Sequence, residues 1–219
     1  MYTDKYWKRE SKKSKPFREK SIFHLVFMAT LLTTCAVNYI VVYGLGSDSQ
    51  QLPIMLIIPA YLAACYFGGR LLLSSKVPWI SFVGTSLIGL PLGLVTYSFV
   101  GGEIDLFLMQ VLLTTALSVI FTGIFHVASC QLKIPTWLPI AFTLGVAMFI
   151  NVAFTASLRD TPIMNWLVVL FVNARIGHTW GQTRAVTPSV DNAIDGVGVL
   201  LLESLNPLYY YERLQTLSK

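Results

Sequence analysis

Six apolar runs, at residues 21–44, 53–73, 78–100, 106–128, 137–158 and 162–176, constrain what this chain can become more than anything else in it. A helix rises about 1.5 Å per residue, so about 20 residues cross a hydrocarbon layer about 30 Å thick. The first five runs are long enough, and the sixth suffices only if it extends into the polar stretch that follows. Inside lipid every backbone N–H and C=O needs a partner within the protein, so runs of this kind become helices. Only GSDSQQ, SSKV, GGEID, CQLKIPT and SLRDT separate them. Connections this short put successive helices antiparallel, and a proline after a small or polar residue suits a helix start.

Composition agrees: 12% of residues are charged and 54% hydrophobic, where soluble domains carry about a quarter charged residues. The predicted fold is therefore all-α, a polytopic membrane helix bundle of six spans plus a seventh, polar-bearing C-terminal helix. Residues 1–20 form a basic tail, 21–214 the bundle and 215–219 a short C-terminal tail. The first run lacks a small-residue cleavage site after a short apolar core, so it reads as a retained span and not as a signal peptide.

Charge gives the orientation. The tail carries Lys5, Lys8, Arg9, Lys12, Lys13, Lys15, Arg18 and Lys20 against Asp4, Glu10 and Glu19, which accounts for the whole net charge of +5. A basic tail abutting a span fixes topology and touches anionic lipid, and nucleic acid is not its expected partner. With the N-terminus cytoplasmic, the cytoplasmic connections hold Arg70, Lys76, Lys133, Arg175 and Arg184. The other side holds Asp48, Glu103 and Asp105, with one cation, Arg159, beside Asp160.

After the sixth run comes a polar connection, NARIGHTWGQTRAVTPSVD, and then an apolar segment interrupted by Asp195, Glu203, Asn206, Pro207 and Glu212. An ionised carboxylate facing lipid costs at least a few kcal/mol. The segment is therefore expected inside the bundle or as a re-entrant element. Glu203 is either a hydrated carboxylate at an interface or a buried titratable group lining a polar cavity, where burial would raise its pKa. His178, 25 positions earlier, is its candidate partner across a helical hairpin through Pro188, and equally a solvated histidine beside Trp180. Asp195 and Asn206 complete the candidate ion pathway or pH sensor, while His24 and His126 read as interfacial or hydrogen-bonded residues.

Gly84, Gly89 and Gly93 recur in the third run at spacings that let helices approach closely, a packing device. Tyr209, Tyr210 and Tyr211 suit an interfacial belt. Cys35, Cys65 and Cys130 show no C-x-x-C spacing and read as small apolar residues. No hydrolase, zinc-protease or phosphate-loop motif occurs, so no enzyme, cofactor or metal site is expected.

The segment LLLESLNPLYYYERL resembles the last helix of the Bax inhibitor-1 family, including its bacterial YccA-like members, which is patterned like L-Y-L-D-x-I-N-L-F-L-Y-L-L-R-L. Glu203 falls where the family often has Asp, Asn206 on its Asn and Arg213 on its Arg. GHTWGQ is similar to the family's Y-D-T-Q patch, with His178 in the Asp place and Thr179 on the Thr. The glycine-rich third run and MQVLLTTALSVIFTGIFH in the fourth share the likeness. The resemblance implies a pH-sensitive cation leak, often described for calcium, or a membrane stress or protease regulator. Histidine in place of one acid would weaken calcium coordination and leave pH sensitivity. The alternative is a non-catalytic structural or accessory subunit of a larger membrane complex, with other membrane subunits as partners.

Overall fold

The structure, a computed structural model, describes residues 17–49, 54–100, 108–157 and 163–205. These residues are helical apart from short turns, with no strand among them. The order is α1 (Phe17–Ser49), α2 (Ile54–Ser74), α3 (Pro78–Val100), a π-helical turn (Leu108–Leu112) leading into α4 (Leu113–Ala128), α5 (Trp137–Ser157), α6 (Ile163–Thr183) and α7 (Val190–Leu205). Residues 17–41 of α1, 110–128 across the π turn and α4, and 137–156 of α5 are long and apolar enough to cross a membrane.

Local chemistry sets several of the boundaries. Ser75 Oγ accepts the Val77 N–H at 2.9 Å in the tight α2–α3 turn. Pro78 then takes the first position of α3, where a missing N–H costs nothing. Ser189 caps α7: its Oγ accepts the Asn192 N–H at 3.1 Å, with Asp191 favourably placed in the first turn.

The sixth helix departs from the sequence expectation. The stretch NARIGHTWGQT, read as the beginning of a connection, continues α6 to Thr183, so Arg175 and His178 lie on the helix and not in a loop. Its polar residues do not end the helix because the bundle takes them in: Asn173, Thr179 and Thr183 are buried.

Helices α2 and α3 meet where Gly68 and Gly84 face each other. A Cβ on Gly84 would stand 2.8 Å from the Gly68 carbonyl oxygen, and one on Gly68 would stand 2.7 Å from the Gly84 oxygen. Gly89 brings α3 against Thr34 of α1. The side-chain surroundings of Gly93 lie outside the described residues.

Helix α7 packs against α1, α2, α3 and α6. Gly196 lies under Phe27, and Gly198 lies under Leu72 and Thr85. Ala193, Val197, Leu200 and Leu201 join Phe27, Leu31, Ile88 and Trp180 in the main apolar core.

Large apolar side chains line the outside of the bundle. Phe121 and Ile124 of α4, Phe149 and Val152 of α5, and Leu167 and Phe171 of α6 all point outward. Polar side chains on the same helices point in. A helix in water buries its apolar stripe, so this inverted arrangement is the one that lipid surroundings select.

Candidate functional site

Every fourth residue from the π turn down α4 is polar: Gln110, Thr114, Ser118, Thr122 and His126, each 0% exposed. The sixteen helical rises from Gln110 to His126 cover roughly 24 Å. Residues four apart drift slowly around a helix, and the row accordingly turns from α5 and α6 at its start toward α1 at its end.

The upper end is a carboxamide cluster. Gln110 Nε2 donates to Asn151 Oδ1 of α5 at 2.7 Å, and Asn165 Nδ2 of α6 donates to Gln110 Oε1 at 3.0 Å. Asn151 Nδ2 is buried without a partner. The π turn that carries Gln110 is a feature often found at functional sites.

Along the middle, the Oγ atoms of Thr114, Thr115 and Ser118 are buried and make no hydrogen bond. Thr179 Oγ1 of α6 shares that state, whereas other threonines pair. Thr30, Thr34, Thr85 and Thr155 each return their hydroxyl to the carbonyl four residues back, at 2.9–3.0 Å. Farther along, Thr122 Oγ1 donates to Thr143 Oγ1 of α5 at 3.1 Å, and Thr143 donates to the Pro139 carbonyl at 2.8 Å. Asn173 of α6 has a buried, unpaired Oδ1, although its Nδ2 donates to the Val169 carbonyl at 2.8 Å. Buried polar groups are ordinarily paired with protein or water, and interiors that hold water do so at polar sites with several partners.

The lower end is an aromatic–imidazole cluster. His126 lies parallel to the Trp180 indole, centroids 5.0 Å apart and planes 2° from parallel, and 5.1 Å from the His24 ring. Trp180 Nε1 donates to His24 Nδ1 at 3.1 Å, which places the proton of a neutral His24 on Nε2. Both ring nitrogens of His126 are buried and unpartnered. Arg184, in the turn after α6, closes this end by donating to the Ser129 carbonyl at 2.6 Å and its hydroxyl at 2.8 Å. Burial pushes the Arg184 pKa down from its ordinary value.

The sequence candidates fall elsewhere or outside the described residues. His178 is half-buried on α6, its Nε2 2.9 Å from Gln182 Nε2. Asp195 is half-buried on α7; its Oδ1 has no hydrogen-bond partner, Ser81 lies within hydrogen-bonding reach, and the Ser81 hydroxyl donates to Asp191 Oδ1 at 2.9 Å. Glu203 belongs to α7, but its side chain lies outside the described residues, as do Asn206 and the basic residues Lys8, Arg9, Lys12, Lys13 and Lys15. His24 and His126, expected at interfaces or in hydrogen bonds, come together with Trp180 in the core. Sequence reasoning missed the α4 row, although its spacing of four was visible in QVLLTTALSVIFTGIFH.

Fold and site together define an all-helical bundle of membrane character with a polar seam through its interior. No protein family, curated protein or solved structure matches the chain.

Proposed function

We propose that the chain spans a membrane six times, with its basic tail in the cytoplasm, and acts as a pH-responsive leak for small cations along the α4 seam. The observation that carries this reading is the row from Gln110 to His126, with hydroxyls buried and unpaired midway along it. Helix packing in lipid rewards polar groups that pair across an interface. Groups left unpaired need another reason to be there, and lining a path is one.

The turns at one end of the bundle carry Lys76, Lys133 and Arg184, which supports the orientation through the positive-inside rule. The likeness of LLLESLNPLYYYERL to Bax inhibitor-1-like proteins points the same way. It adds His178 and Glu203 as groups at which pH acts, and the basic tail as a contact for anionic lipid.

The test is reconstitution. Full-length protein in sealed liposomes should release potassium, calcium or protons faster than empty liposomes. Ser118→Leu, which puts a branched apolar group into the seam, should return the rate to baseline. Equal rates with and without protein would refute the leak. Recovery from mild detergent only within a larger assembly, without flux of its own, would favour the accessory-subunit reading.

A further inference from the structure

The chemistry of the seam restricts what it can carry. From Gln110 to Thr122 it offers amides and hydroxyls, and no carboxylate lies on the row. Calcium takes six to eight oxygen ligands, carboxylates among them, and magnesium gives up its water reluctantly. Among the described residues no group of three His, Cys, Asp or Glu side chains could hold a metal ion. The lower end carries positive charge in Arg184, whose guanidinium donates to the Ser129 carbonyl and hydroxyl. Among the described residues of the row, a metal ion descending the seam would meet no carboxylate, and the Arg184 guanidinium stands at the exit.

A proton has a different requirement. It needs a chain of donors and acceptors, which hydroxyls, amides and interposed water supply, and one group that takes it up on one side and gives it off on the other. We infer that the permeant of the α4 seam is the proton, and that His126 is the residue that hands it across the lower end. The inference rests on the leak reading above and narrows it.

His126 is suited to the task by position and by its lack of partners. It is the last residue of the polar row, it is fully buried, and neither ring nitrogen is tied up in a hydrogen bond. A proton arriving from the seam binds one nitrogen of the neutral ring and gives an imidazolium. The proton on the other nitrogen then passes to solvent water at the Arg184 end, and the ring resets by exchanging tautomer or turning over. One proton enters and one leaves, so nothing is oxidised or reduced and no charge stays behind. The parallel indole of Trp180, 5.0 Å away, offers a π face to the ring while it is positive. His24 cannot do the same through Nδ1, which accepts the Trp180 N–H. The groups that face His126 are His24 on α1, Trp180 on α6, and Arg184 beyond α6, with Lys20 one turn before His24 on α1.

The experiment uses full-length protein in phosphatidylcholine–phosphatidylglycerol liposomes, with a pH-sensitive dye trapped inside and a potassium gradient clamped by valinomycin. Parallel preparations hold a calcium-sensitive dye, and a third set follows potassium without valinomycin. Expected are proton entry well above empty liposomes, no calcium or potassium flux above them, and a loss of tenfold or more in His126→Gln. Thr114→Val removes a hydroxyl that has no partner and should reduce proton entry severalfold in a protein that still folds. Arg184→Gln removes the exit charge and should raise it severalfold. Undiminished proton entry in a folded His126→Gln protein overturns the inference. Calcium or potassium flux without proton flux also overturns it while leaving the leak reading intact. No flux of any ion ends both.

Discussion

Gln110→Leu and Ser118→Ala should have opposite effects on stability, although both remove a fully buried polar group from the same face of one helix. Leucine at position 110 breaks the hydrogen bonds to Asn151 and Asn165, 2.7 and 3.0 Å long, and strands an acceptor and a donor inside the bundle. Interhelical hydrogen bonds in membranes average about 0.6 kcal/mol, which sets a floor of about 1 kcal/mol for two. A stranded buried group costs about 1–3 kcal/mol, so two bring the upper figure to about 6 kcal/mol. Alanine at position 118 removes an Oγ that has no partner, so no hydrogen bond is lost. The change should lie between neutral, if water reaches the hydroxyl, and a gain of about 1–3 kcal/mol, if the hydroxyl is dry. Reversible unfolding in bicelles, read by a probe on α4 and repeated for both variants, measures the difference. If Ser118→Ala destabilises by more than about 1 kcal/mol, comparable with the Gln110 floor, the hydroxyl is packing glue and the seam argument fails.

Gly84→Ala should cost about 1–3 kcal/mol as overpacking against the Gly68 carbonyl, whereas Gly145→Ala, with nothing within 4 Å of the new Cβ, should be neutral or gain up to about 1 kcal/mol of helix propensity; equal melting temperatures for the two proteins would contradict the close α2–α3 contact. In a background lacking Cys35, Cys65 and Cys130, single cysteines at Lys76, Lys133 and Ser189, which sit in exposed or half-exposed turns, should all be labelled from the cytoplasmic side. Label reaching any of them from the opposite side of sealed cells would break the six-span orientation.

The helices were legible because length and apolarity are properties of consecutive residues, and three of them, over residues 17–41, 110–128 and 137–156, are long and apolar enough to cross a membrane. The extension of α6 was not. Hydropathy counts Asn173, Thr179 and Thr183 against a membrane helix, and only their neighbours in the bundle make them acceptable there. The α4 row was half legible. Its spacing of four lies in plain view, but serine and threonine are so mild in hydropathy that the segment reads as an apolar span. That the row is inward and unpaired depends on where α1, α5 and α6 pack. The meeting of His24, His126 and Trp180 could not be read at all, since three helices distant in the chain bring them together. The reading of Glu203 rests on sequence and on the family likeness, for its side chain lies outside the described residues.

The glycine-backed seat of α7 also bears on how the protein is made. Its partners α1, α2, α3 and α6 all leave the ribosome before it does, and Gly196 and Gly198 can slide under Phe27 and Leu72 only once those side chains are in position. Until residues 190–201 arrive, the nascent bundle holds an open slot walled by Phe27, Leu72 and Ile88, an unfilled apolar cleft that lipid or an insertion chaperone would occupy in the interval. A stop codon placed just before Val190 should therefore leave that slot open, and the shortened product should be cleared faster than the full chain.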